Sequence, residues 1–197
     1  PPYNQASERI LDVLEKYNAK ATFFMVGVNA ADHPNNLKRK LELGCEIGSH
    51  TYSHQHYGKN VTTADITKAS EAIYAACGEY PTAFRSPGGI TNDLIREQCR
   101  KEGMPLYYWS IDTEDWKSKD ADKIYKKVMD NVKDGDIILM HEIYSSSAEA
   151  VEKIVPALIK QGYQLVTCQE LVEAKTGKKP TPGQQYYNGT SINNTTN

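Results

Sequence analysis

Apolar positions along this chain alternate between two spacings. Ile10, Leu11, Leu14 and Tyr17 recur every three or four residues, the spacing of one helix face, and predict a helix over 7–17 with Ser7 as its N-cap. Ala21-Thr-Phe-Phe-Met-Val26 is instead an unbroken apolar run stopped by Gly27, which predicts a buried strand. The same pair of patterns repeats. Helices are predicted over 34–43, 64–77, 91–102, 121–132 and 147–161, and strands over 46–49, 82–85, 105–111, 136–140 and 163–166. Pro156 falls inside the last helix and predicts a kink or a break, because proline lacks the interior N–H donor. Strands alternating with helices define an α/β fold with a parallel sheet, since parallel strands need a crossover between them. Beyond Thr176 aliphatic residues almost vanish, so residues 1–175 read as one domain and 176–197 as a flexible tail.

Composition narrows the chemistry by exclusion. The 197 residues suffice for one sizeable core, and a formal net charge of −2 offers no basic field to nucleic acid. No run of 18 apolar residues is long enough to span a bilayer. A phosphate-binding Gly-x-x-x-x-Gly-Lys loop, a dinucleotide Gly-x-Gly-x-x-Gly turn and a Gly-x-Ser-x-Gly elbow are all lacking, which disfavours a nucleotide cofactor and serine hydrolysis. Cys45, Cys77, Cys99 and Cys168 are scattered without a Cys-x-x-Cys pair and read as small buried hydrophobes.

Polar residues concentrate where the apolar strands stop. His50 and His54 follow the second strand, Arg85 the third, Asp112 and Asp115 the fourth, and His141 the fifth. In parallel α/β folds the strand C-termini open on one face, so these six side chains are expected to share a cleft. Charges recurring at strand ends are poor packing residues. His50 and His54 are four apart, a spacing that on a helical turn points two imidazoles the same way, as zinc sites require. Asp112 or Asp115 is then a candidate third ligand. His141 is a candidate proton donor, with Asp115 to fix its tautomer. Arg85 opens Arg85-Ser-Pro-Gly-Gly89, which serves either as a plain turn or as an arginine forked onto a carboxylate beside a backbone open to a ligand. Trp116 is placed either in the core or against a sugar ring.

Five segments in order, Ala21-Thr-Phe-Phe, Glu46-Ile-Gly-Ser-His50-Thr-Tyr-Ser-His54, Phe84-Arg85-Ser-Pro-Gly-Gly89, Trp109-Ser-Ile-Asp112-Thr-Glu-Asp115-Trp116 and Ile138-Leu-Met-His141, resemble the motifs of the NodB-like polysaccharide deacetylases, the fourth family of carbohydrate esterases. The resemblance covers about residues 1–175 and implies a distorted (β/α)7 barrel. It makes His50 and His54 ligands of a divalent metal, zinc first, with cobalt or nickel as options. It makes His141 the catalytic acid, Asp115 the aspartate that tunes it, and Arg85 the arginine that holds the base. Trp116 and Leu139 would line the acetyl pocket, and the backbone N–H near Gly88 would face the oxyanion. The family's first motif, a strand ending Thr-Phe-Asp-Asp-Gly, supplies the base and the third ligand. It has no counterpart here, where Pro1-Pro-Tyr-Asn resembles the turn that follows it. The expectation is that this strand precedes residue 1. The implied activity is removal of N-acetyl groups from an N-acetylglucosamine polymer, peptidoglycan ahead of chitin, by an extracellular or cell-surface monomer. Acetylxylan esterase and a non-catalytic carbohydrate-binding relative are the alternatives.

Overall fold

The computed structural model describes residues 2–55 and 60–190, and for residues 2–4 the backbone alone. Helix α1 (Pro2–Lys16) leads into β1 (Thr22–Met25), and α2 (Gly27–Ala30) and α3 (Pro34–Glu42) lead into β2 (Glu46–Ser49). Next come α4 (Thr63–Cys77), β3 (Ala83–Phe84), a 3-10 turn at Pro87–Gly89, α5 (Asp93–Lys101) and β4 (Leu106–Tyr107). The chain continues through β5 (Ile111–Asp112), α6 (Asp115–Ser118), α7 (Ala121–Asn131), β6 (Ile138–Leu139), α8 (Ser145–Lys160), α9 (Cys168–Thr176) and β7 (Gln185–Tyr186).

The described strands form a five-stranded sheet in the order β1-β2-β3-β4-β7 and a two-stranded sheet β5-β6. Every ladder pair within them is parallel. The α/β class with parallel strands therefore stands, and among the described residues the strands form two sheets. All four β2 residues are buried, as expected of a strand covered on both faces. Helices are punctuated by side-chain caps: Thr62 accepts from Asp65 N–H on α4, Asn92 from Ile95 N–H on α5, and Thr167 and Glu170 form a reciprocal capping box on α9.

Several expectations fail for identifiable reasons. The strand expected over 105–111 is divided. Tyr108 N–H still bonds Tyr186 O at 2.8 Å, but Ser110 N–H turns to Ile137 O at 3.0 Å, so one extended run serves two sheets. The strand expected over 163–166 does not form. It contributes Leu165 O to Lys20 N–H at 3.0 Å, while Tyr163 and Leu165 pack against the α7–α8 cluster. That packing satisfies an apolar run without a ladder. The segment expected as a loose tail carries β7, which pairs with β4 through Leu106–Gln185 and Tyr107–Tyr186. Its aromatic Tyr186, 3% exposed, supplies the apolar anchor that the missing aliphatics suggested was absent. The rest of that segment, 191–197, lies outside the described residues.

Pro156 does not break α8, whose buried face of Ala148, Val151, Ile154, Val155 and Leu158 holds the helix across the lost donor. Ser7 is not an N-cap, because α1 already runs from Pro2. It is wholly buried inside the helix and bonds elsewhere. Among the described residues, no helix is long and apolar enough to cross a membrane. The four cysteines are free, and three of them are buried.

Candidate functional site

Backbone bonds carry the parallel register past the strand ends. His50 N–H donates to Met25 O at 2.8 Å, and Arg85 N–H donates to Ser49 O at 2.9 Å. His50 and Arg85 thus stand one residue beyond β2 and β3 on the same edge of the sheet. His141 lies two residues beyond β6, and Asp115 opens α6 three residues beyond β5. Lys40 Nζ lies 2.8 Å from Glu142 Oε1 and 3.7 Å from Met25 Sδ, so the turn that carries His141 lies against the strand end whose Met25 O accepts from His50 N–H.

The histidine pair sits on a loop rather than on the helical turn expected from its spacing. Thr51 (φ 66°) and His54 (φ 58°) both adopt left-handed backbone, and His54 N–H donates to Thr51 Oγ1 at 3.2 Å. These bends bring the two rings to 4.9 Å between centroids, tilted by 56°. His50 Nδ1 lies 2.5 Å from Arg85 O. A carbonyl only accepts, so Nδ1 carries the proton and Nε2 keeps its lone pair. Burial is the main cause that pulls the His50 pKa down to about 3, so this ring is neutral near pH 7. A neutral imidazole fixed by a carbonyl on its other nitrogen is the donor that divalent metals take, so the pair fits as two ligands of such an ion. Among the described residues no third His, Cys, Asp or Glu joins it, so neither Asp112 nor Asp115 is a third ligand.

Asp115 and His141 meet directly. The Asp115 side chain is fully buried, and its Oδ1 is 2.7 Å from His141 Nδ1. Its Oδ2 accepts from His141 N–H at 2.7 Å and from Ser147 Oγ at 2.6 Å. Burial pushes this carboxyl upward, yet bonds from the His141 ring, Ser147 and the His141 amide outweigh it and hold the pKa below the usual 3.8. The His141 ring, 39% exposed, presents Nε2 away from Asp115. Ser147 was not among the residues singled out from sequence. One serine in a run of three carries no signal of its own.

Arg85 is buried, with its guanidinium 4.1 Å above the Phe24 ring. Its fork goes to two carbonyls, Nε to Tyr107 O and a terminal nitrogen to Tyr108 O, both at 3.0 Å. Among the described residues it has no carboxylate partner. Asp112 leaves the cluster. Its Oδ1 accepts from Glu114 N–H at 2.9 Å, and it lines a cavity of about 300 Å³ with Lys127 and Asn131 of α7. Gly88 has a left-handed φ of 65° inside the Pro87–Gly89 turn. Trp116 is 49% exposed beside Asp115, and Leu139 is buried in β6 opposite Asp112.

The chain is thus a fold of parallel β/α units with histidines, an arginine and an aspartate–histidine couple at its strand ends. The chain belongs to the polysaccharide deacetylase family, whose profile matches residues 1–107. It is 36% identical to Listeria monocytogenes peptidoglycan-N-acetylglucosamine deacetylase PgdA, over 96% of this chain and 40% of that protein. The chain therefore spans well under half the length of that relative. The solved structure of peptidoglycan deacetylase PdaC from Bacillus subtilis, 37% identical, superposes with a TM-score of 0.82 over 88% of this chain and 86% of that one. A family 4 acetyl xylan esterase from Clostridium thermocellum, in complex with a cobalt ion, is 29% identical with a TM-score of 0.83 over 94% and 93% of the two chains.

Proposed function

We propose that this protein is a metal-dependent deacetylase of an N-acetylglucosamine-containing polysaccharide, peptidoglycan first and chitin second, acting outside the cell or at its surface. The observation that carries the reading is the His141–Asp115 couple at the strand ends of one parallel sheet together with the His50–His54 pair at a strand end of the other. The relatives named for peptidoglycan support the substrate class and the location.

His50 and His54 would hold a divalent cation, zinc by preference, which when bound supplies a Lewis acid and lowers the pKa of water toward about 7. The chain's own residues do the rest. Protonated His141 delivers its Nε2 proton to the departing amine nitrogen and is left as the neutral ring, whose Nδ1–H Asp115 holds in place throughout. The Gly88 N–H, in a turn without a side chain to shield it, faces the developing oxyanion. Such a donor is worth about 3–4 kcal/mol in other hydrolases. Arg85, with Nε and one terminal nitrogen held by the Tyr107 and Tyr108 carbonyls, would offer its remaining N–H groups to a carboxylate base of the kind the family's first motif carries. Trp116 and Leu139 flank the acetyl group.

The test is acetate release from peptidoglycan, chitooligosaccharides and acetylxylan, together with metal analysis. Turnover on an N-acetyl polymer with one metal ion per chain is expected. Turnover on acetylxylan alone favours the esterase reading, which the cobalt-bound structural neighbour supports. Binding without turnover by the full-length protein means a carbohydrate-binding relative.

A further inference from the structure

A charged cluster outside the reacting groups abuts the peptide that carries His141. The side chain of Lys40, on the inner face of α3, is wholly buried. Its Nζ lies 2.8 Å from Glu142 Oε1, 3.7 Å from Met25 Sδ and 4.3 Å above the Phe23 ring. Glu142 is 15% exposed and directly follows His141. Its second oxygen accepts from Ser7 Oγ of α1 at 2.6 Å, and Ser7 Oγ accepts in turn from Asn36 Nδ2 of α3 at 3.1 Å. Packing does not call for this arrangement. An aliphatic residue between Leu37 and Leu41 would fill the same space without desolvating an ammonium group.

What the pair adds is a second anchor for one short turn. Asp115 grips His141 through its ring and its amide on one side. Lys40 and Ser7 grip the next residue on the other. Helix α3 leads straight into β2, whose end carries His50, so Lys40 also ties the frame of the histidine pair to the His141 turn. We infer that the buried Lys40–Glu142 ion pair, braced by Ser7, positions His141 relative to Asp115 and to the histidine pair. This inference rests on the role assigned to His141 in the proposed reaction.

The experiment compares wild type with Glu142→Gln by steady-state kinetics and by nitrogen NMR of the labelled histidine rings in the full-length protein. At a temperature where both are folded, Glu142→Gln is expected to lower kcat about tenfold or more with KM within about twofold. The His141 ring signals are expected to move from a single Nδ1–H form toward mixed tautomers. If Glu142→Gln does not fold, Lys40→Met is measured in its place, with the same expectation. Wild-type kcat and unmoved His141 signals in a folded variant overturn the inference, whatever its melting temperature. A wild type inert on every acetylated polymer, with the His141 signals still displaced in the variant, removes the deacetylase reading and leaves the positioning of His141 standing.

Discussion

At the scale of single residues, Asp115 shows how environment decides chemistry. A buried carboxyl should become a weaker acid, yet three donors from His141 and Ser147 reverse the sign. A carboxyl whose folded pKa lies below its usual 3.8 adds stability above that value and loses it as pH falls through the folded pKa. Asp115→Asn is therefore expected to flatten the decline of stability below about pH 4, read from urea unfolding at stepped pH. The same variant should cut kcat by about 10²–10⁴, because an amide can turn its own N–H toward Nδ1 and hold the wrong tautomer. The sequence exposed both partners, since each follows an apolar strand. It could not expose Ser147 or Lys40, whose roles depend on what α8 and α3 pack against.

At the scale of elements, β2 was legible as a strand from Glu46-Ile-Gly-Ser49, but the reason for its glycine was not. A Cβ on Gly48 would come within 2.5 Å of the Phe24 ring and 3.2 Å of Ala83 O on the neighbouring strand. Phe24 in turn carries the Arg85 guanidinium on its face. Gly48→Ala is expected to cost about 1–3 kcal/mol by overpacking. It should also lower activity by displacing Arg85, a loss that calorimetry and acetate assays on the folded protein would separate. Helices α3, α4, α5 and α7 match their predicted spans closely because amphipathic spacing and caps are local signals. The two-residue strands do not, because a strand is defined by its neighbours. The 105–111 run divides between two partners, and the 163–166 run acquires none of its ladder.

At the scale of the molecule, the departure that matters most is β7. A segment poor in aliphatics returns to pair with β4, and Tyr186 packs 5.7 Å from the Tyr107 ring. Its hydroxyl accepts from Thr181 N–H at 2.9 Å. β4 also supplies, at its end, the carbonyls that hold Arg85. Tyr186→Ala is expected to lower stability by about 3–5 kcal/mol, the cost of emptying a buried aromatic site, measurable by denaturant unfolding. A shift of less than 1 kcal/mol would show that β7 is dispensable to the sheet.

The sequence by itself determined the α/β class, the spans of the amphipathic helices α3, α4, α5 and α7, and which ionisable residues stand at strand ends, because hydrophobic period and chain order are local properties. Only the tertiary structure decided which of those residues meet. It bent the His50–His54 loop through two left-handed residues, turned Asp112 toward α7, closed Asp115 onto His141 and buried Lys40 against Glu142. Burial and hydrogen-bond partners come from segments distant in the chain, and no spacing along one segment encodes them.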